Sequence, residues 1–241
     1  MLLKAVILRW SISKEAEWTC VQSHINFVSW APRQILEELA AGTVKAGITA
    51  SVAKVFDQYL NFVALEPDLF SLCLQESYVH LNDNTASESD VNDACTAVVE
   101  ALFSVCVTLS IVPVIRCASG GLAEAVGRGL SQKIAGHLKG RGASLLNDPS
   151  VFMGSTARPL LCLFDRNFDL TAMVEQPFTY KALVHDCQGL HLNKVQISQA
   201  SVAEGAVGKK VTIEIGDDDI FWQQNGHHEF GVVAASIDEQ V

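Results

Sequence analysis

Positive charge is the scarcest feature of this sequence. Its 17 lysines and arginines face 27 aspartates and glutamates, for a net charge of -10, and no basic cluster interrupts the deficit. A surface that tracks nucleic-acid phosphates needs the opposite balance, so nucleic acid is not expected among the partners. Cysteines at ligand spacing are missing as well. The seven present, Cys20, Cys73, Cys95, Cys106, Cys117, Cys162 and Cys187, are spread singly with no C-x-x-C among them. This reads as reduced, buried, cytosolic cysteine, with neither disulfides nor a zinc cluster. No apolar run reaches the roughly 20 residues of a membrane span. The longest, Ala101 to Ile115, is interrupted by Pro113 and reads as a buried helix running into a buried strand. The opening MLLKAVILRW breaks at Arg9 with no small-residue cleavage site behind it, so no signal peptide is expected. Nucleotide loops are absent in any strict form. GAVGKK (205 to 210) has its first glycine too close to the GK and Lys210 in place of Ser or Thr, while GRGASLL (140 to 146) and GGLAEAVG (120 to 127) lack the dinucleotide context. No G-x-S-x-G or other local context supports a nucleophilic hydrolase.

What the chain does have is apolar bulk, 49% of its residues, enough for a substantial core. Short apolar runs occur at 4–10, 24–28, 59–65, 69–73, 112–117 and 159–164, mostly separated by helical patterns. That alternation predicts an α/β fold, a parallel sheet flanked by crossover helices. After the second run, Pro32 suits a first helical position, with Ile35, Leu36 and Leu39 on the covered face. A second helix is expected from a cap at Asp90 or Asn92, with Val98, Leu102, Val105 and Leu109 inward. A third, capped by Ser119, carries Leu122, Val126, Leu130, Ile134 and Leu138 four apart, with interior glycines that weaken it. The polar stretch 80–93 reads as a surface loop. Beyond residue 170 the pattern changes to a helix ended by Gly189, two alternating strands in HLNKVQI and KKVTIEI, and a final helical tail, which marks a new domain.

The chemistry question centres on RPLLCLFDRNFDLT (158 to 171), an apolar run followed by Asp165, Arg166 and Asp169. Carboxylates at a strand end are where open α/β sheets place ligands, so a small metal-dependent phosphohydrolase using Asp165 and Asp169 is one reading. The spacing departs from the aspartate-nucleophile pattern: Asn167 stands where a second carboxylate is needed. The structural alternative has Asp165 capping the next turn and Arg166 pairing with a neighbouring carboxylate. His185 and Asp186 could share a divalent ion. On a helix, however, Tyr180, Leu183, Val184 and Cys187 form the apolar face, His185 shares the polar side with Lys181, and Asp186 lies about 100° further round. No metal site is expected.

The same stretch followed by FTYKALVHDCQGLHLNKV resembles the central signature of the Sec/Munc (SM) family of SNARE-binding proteins: a buried strand, Asp-Arg, a second Asp-Leu, then Thr-Tyr, Ala and His-Asp. HINFVSWAPRQILEELA, VAKVFDQYLNFVALEPDLFSL and ALFSVCVTLSIVPVIRC are similar to the Sly-type branch. The chain departs at Ala172, Met173, Val174 and Glu175, and at Lys181, where Gln is common. The resemblance implies a partial chain, with 1–23 unmatched, 24–170 as part of the α/β second domain, and 171–241 opening an α+β third domain. It implies a non-enzymatic regulator of vesicle docking and fusion, cytoplasmic and peripheral at ER and Golgi membranes, with syntaxin-type SNAREs as partners and no cofactor. Asp165, Arg166, Asp169, Thr179, Tyr180, His185 and Asp186 would then be structural residues at a domain joint. A nonfunctional fragment with exposed sheet edges is a further alternative.

Overall fold

The computed structural model describes residues 5–9, 22–139, 158–198, 210–216 and 218–240. Cys20, GRGASLL and nearly all of GAVGKK lie outside them. The chain forms two compact units. The first comprises Met1–Phe62 and Leu72–Asp165, the second Val63–Ser71 and Arg166–Val241.

The first unit is α/β, with one three-stranded and one two-stranded sheet among the described residues. β1 (Ala5–Arg9) pairs antiparallel with β2 (Ser23–Phe27), and β2 pairs parallel with β3 (Val52–Asp57). The first apolar run therefore makes a strand of the unexpected direction. β3 was not anticipated at all, because VAKVFD carries a lysine mid-run and ends in a carboxylate. Between β2 and β3 runs α1 (Arg33–Lys45), with Pro32 in extended geometry as its cap rather than its first helical residue. Ile35 and Leu39 pack on the buried Ile25, Phe27 and Ala31. Leu36, expected beside them, is exposed, because one residue is a 100° step away from Ile35. Asp57 ties this layer together: its Oδ1 accepts from the Ala31 N–H at 3.1 Å.

The expected loop 80–93 is mostly helix. α2 (Ser77–Asn82) ends within it, and α3 (Glu88–Thr108) begins within it. The cap of α3 is Ser87 rather than Asp90 or Asn92. Its hydroxyl accepts from the Asp90 N–H at 3.2 Å while the Asp90 carboxylate accepts from the Ser87 N–H at 3.2 Å, a closed capping box. The polar, acidic composition of this stretch belongs in part to the solvated first turn of a long helix. α3 is long and apolar enough to cross a membrane by length and composition. Here it is the core helix: Val99, Leu102, Phe103, Val105 and Cys106 are buried, whereas Leu109 at its end is exposed.

β6 (Val114–Cys117) and β7 (Leu160–Leu163) pair in parallel, and α4 (Leu122–Lys139) lies on the crossover between them. Ser119 stands too early to cap α4. Instead the Glu124 carboxylate accepts from the Gly120 N–H at 2.7 Å. The expected inward row holds from its second member on, with Val126, Leu130 and Ile134 buried and Leu138 packed against the same core, while Leu122 at the start of the helix is half-buried. The glycines of α4 explain how it gets so close. A Cβ at Gly127 would meet Cys117 Sγ and Ile115 Cγ2, both at 3.3 Å, and one at Gly129 would meet Val99 Cγ2 at 3.0 Å. One glycine thus faces the sheet and the other faces α3. Phe103 fills the centre of the core, only 1% exposed, with Tyr59 against it at 5.9 Å between ring centroids.

The second unit begins with the hairpin β4 (Val63–Glu66) and β5 (Leu69–Ser71), antiparallel across Pro67 and Asp68. These two apolar runs are the pair with no helical pattern between them. The two-residue Pro-Asp connection is too short for a parallel crossover and suits a tight turn. One-turn 3-10 helices at Arg166–Phe168 and Thr171–Met173 lead to α5 (Tyr180–Gln188), ended by Gly189 in the left-handed conformation as expected. β8 (Lys194–Ser198) and β9 (Lys210–Glu214) pair antiparallel, and α6 (Ile220–Asn225) and α7 (Phe230–Gln240) complete the unit. Of the described cysteines only Cys106 is buried; Cys73, Cys162 and Cys187 are exposed, against the expectation that most would be inside.

Gly129→Ala should lower stability by about 1–2 kcal/mol, because overpacking against Val99 exceeds the helix-propensity gain. Gly136→Ala, where an added Cβ meets nothing within 4 Å, should raise it by about 1 kcal/mol. Urea unfolding of the two variants checks both signs; equal shifts in one direction would contradict the close-approach account.

Candidate functional site

The candidate residues fall unevenly on the structure. Asp165 is the last residue of the first unit, half-buried just past the end of β7. Its Oδ2 lies 3.4 Å from where a Cβ on Gly121 would stand, which places the carboxylate at the start of α4. Arg166 opens the second unit, begins a 3-10 turn and is exposed. The carboxylate partner expected for it is not found among the described residues. Asp169 is exposed and accepts from the Thr171 N–H at 3.0 Å, a local turn that fixes the second 3-10 helix. The pair proposed for phosphohydrolysis is thus divided between the units. Among the described residues, no group of three or more His, Cys, Asp or Glu side chains converges on a metal position.

Thr179 and Tyr180 belong to a built arrangement. Thr179 bridges antiparallel to Glu229. The Tyr180 N–H donates to the His228 carbonyl at 2.9 Å, the Lys181 N–H to Gly226 at 3.0 Å, and the Phe230 N–H to Phe178 at 3.1 Å. The start of α5 is thereby clamped to the segment between α6 and α7. The Tyr180 ring meets Phe221 and Trp222 edge-on, at 5.9 and 5.8 Å. His185 is exposed, with its Nδ1 2.8 Å from the Leu190 carbonyl, and so secures the turn after the helix rather than an ion. Asp186 is exposed on the same helix and joins no cluster.

The residue that sequence reasoning undervalued is Lys181. Expected on the polar side, it is only 24% exposed in its side chain, and its ammonium pairs with Glu66 of β4. It also lies 5.3 Å from the Trp222 ring centroid, a cation–π contact. Gly226 makes room for its stem: a Cβ there would be 3.4 Å from Lys181 Cε and 2.8 Å from the Trp222 carbonyl. Asn193 adds a second link to the hairpin, its Nδ2 donating to the Leu65 carbonyl at 2.5 Å. The available signal was Glu66 at the edge of a hairpin turn, an acid in an otherwise apolar run. Nothing local in the sequence pairs it with a lysine far downstream.

The arrangement is an ion pair and a set of backbone bonds that hold α5 to its neighbours. Its charged groups neutralise one another inside the fold, and its exposed groups shape turns. Among the neighbouring residues Phe168, Val174 and Phe178 are at least three-quarters exposed.

Lys181→Ala should lower stability by about 2 kcal/mol, since it strands the Glu66 carboxylate, 19% exposed, and removes the contact with Trp222. Glu66→Gln, which keeps a hydrogen-bond acceptor, should lose less. Trp222 fluorescence during urea unfolding reads both; a Lys181→Ala variant as stable as the parent would refute the central role of the pair.

The model of the Sec1 family matches residues 14–241, beginning inside the segment that sequence pattern leaves unmatched. The chain is 46% identical over 218 residues to the SEC1 family transport protein SLY1 of Arabidopsis thaliana, covering 90% of this chain and 34% of that protein. It is 37% identical over 231 residues to the Sec1 family domain-containing protein 1 of Homo sapiens, covering 90% and 36%. Its structure is similar to the crystal structure of Sly1p in complex with an N-terminal peptide of Sed5p, with a TM-score of 0.72 at 30% identity over 89% of this chain and 33% of the other. It shares the fold of the SM protein Vps45 in complex with the Qa SNARE Tlg2 (1-310), with a TM-score of 0.70 at 23% identity over 90% of this chain and 36% of the other. The chain spans about a third of the length of the curated relatives it matches.

Proposed function

Because the chain belongs to the Sec1 family, we propose that it acts in SNARE-mediated vesicle docking and membrane fusion, by binding syntaxin-type SNAREs, in transport between endoplasmic reticulum and Golgi. The observation that carries the reading is its 46% identity, over nine-tenths of its length, to a SEC1 family transport protein. The Sly1p structure supports the partner class, since that protein is held with an N-terminal peptide of Sed5p. Residues 24–170 are then the first part of the second domain of such a protein, and 171–241 open its third. Asp165, Arg166, Asp169, Thr179, Tyr180, His185 and Asp186 act as structural residues of the passage from one to the other. The protein is a cytoplasmic, non-enzymatic regulator peripheral to ER and Golgi membranes. The metal-dependent phosphohydrolase and inactive-fragment readings have no comparable support.

Surface plasmon resonance with the immobilised 241-residue chain and purified syntaxin-type SNAREs tests the assignment. Saturable binding of at least one of them is expected, and no response from any would remove the SNARE-binding role of this chain. Magnesium or manganese titration with a phosphatase assay should show neither stabilisation nor turnover.

A further inference from the structure

His137 occupies a position in the first unit that suits an uncharged ring and not a charged one. It lies near the end of α4, whose inner side runs parallel to α3: Gly129 faces Val99, Lys133 pairs with Glu100, and His137 meets Phe103. The His137 and Phe103 ring centroids are 5.2 Å apart at an interplanar angle of 68°. Nε2 of His137 is shielded from solvent and has no hydrogen-bond partner. A polar ring atom in that condition is unfavourable even when neutral, and a proton added there has nowhere to donate.

The charged and titratable groups around the seam do not relieve it. From α4 itself, the Lys133 ammonium lies 5.2 Å from the same Phe103 ring. From α3, the Glu100 carboxylate is already engaged by Lys133, and the Cys106 thiol is pushed up to about 11 by burial. Beyond the end of β3, the Tyr59 phenol is pushed up to about 12, by burial first and then by Asp57 and Glu100. Asp57 is itself raised by burial. Near neutral pH the seam therefore holds the Lys133 ammonium, its paired Glu100 carboxylate and the uncharged Cys106 and Tyr59, with the Asp57 carboxylate beyond Tyr59. An imidazolium would add a second cation beside the Phe103 ring.

We propose that His137 is an acid-responsive latch on the seam between α3 and α4: the neutral ring closes the seam over Phe103, and proton uptake releases the last turn of α4. Burial, and then the neighbouring Lys133, hold the imidazole below its ordinary value of 6.5. The folded state thus binds this proton less readily than the unfolded chain. Stability from the neutral ring is whole above 6.5 and declines as pH falls through that value towards the folded one. Leu138, packed on the same core, leaves with the turn.

The test uses the full chain. Proton–carbon NMR of the His137 ring during a pH titration should give a midpoint below 6.5. Hydrogen exchange of the amides of Ile134 and Leu138, corrected for intrinsic rates, should show more opening at about pH 5.8 than at about pH 7.5. His137→Phe should abolish that difference while leaving the other histidines untouched. His137→Gln, which keeps polarity without a titrating proton, should abolish it as well, and decides the matter if the phenylalanine variant does not fold. A midpoint at or above 6.5, or a glutamine variant that keeps the full pH dependence of opening, overturns the latch.

Discussion

The first unit rests on how closely α4 can approach two neighbours at once. Its glycines at 127 and 129 are not weak points in a helix but the faces along which it meets the β6–β7 pair and α3. A parallel two-stranded ladder has no stability of its own in water. It persists here because α4 covers it and because α3 closes the other side of that helix. The Phe103 ring then fills the space the two helices leave, and Tyr59 reaches it from a left-handed backbone conformation with φ of 52°. A non-glycine residue adopts that conformation only when its surroundings demand it. At Tyr59 the demand is the burial of its ring in the core.

The second unit is organised differently. It has little buried apolar volume among its described residues, with Val195, Trp222 and Val233 as its inner hydrophobic side chains. Much of its definition comes from polar connections of known direction: backbone bonds that clamp the start of α5, and an ion pair backed by an indole ring. Such a scaffold is specific in geometry yet leaves several large apolar side chains exposed, Phe168, Val174 and Phe178 among them.

The α/β class, the core helices, the inward row of α4 and the stop at Gly189 were legible in the sequence, because helical periodicity and glycine's freedom at a left-handed position are local properties. Strand direction was not, since β1 and the β4–β5 hairpin look like any other apolar run. The direction of β1 depends on a pairing with β2, and that of the hairpin on the two-residue turn at Pro67 and Asp68. The capping box at Ser87 was misread because solvated first turns and loops share a composition. In the candidate site, the clamp at Thr179 and Tyr180 lay within the family signature. The Lys181–Glu66 pair did not, because it joins residues 115 positions apart. The apolar cysteine runs misled in the opposite sense: at Cys162 the neighbours alternate between exposed and half-buried along a thinly covered strand.

The second unit takes Val63–Ser71 from the middle of the first. On the ribosome this hairpin emerges before α3, β6, α4 and β7 and waits through their synthesis for the segment that supplies Lys181 and Asn193. During that interval Glu66 has no ammonium to meet, and the hairpin cannot hold itself together. The two units are thus interleaved in sequence, and the second is complete only after the first has been made. Misassembly between neighbouring parts of a chain is the characteristic hazard of such an order.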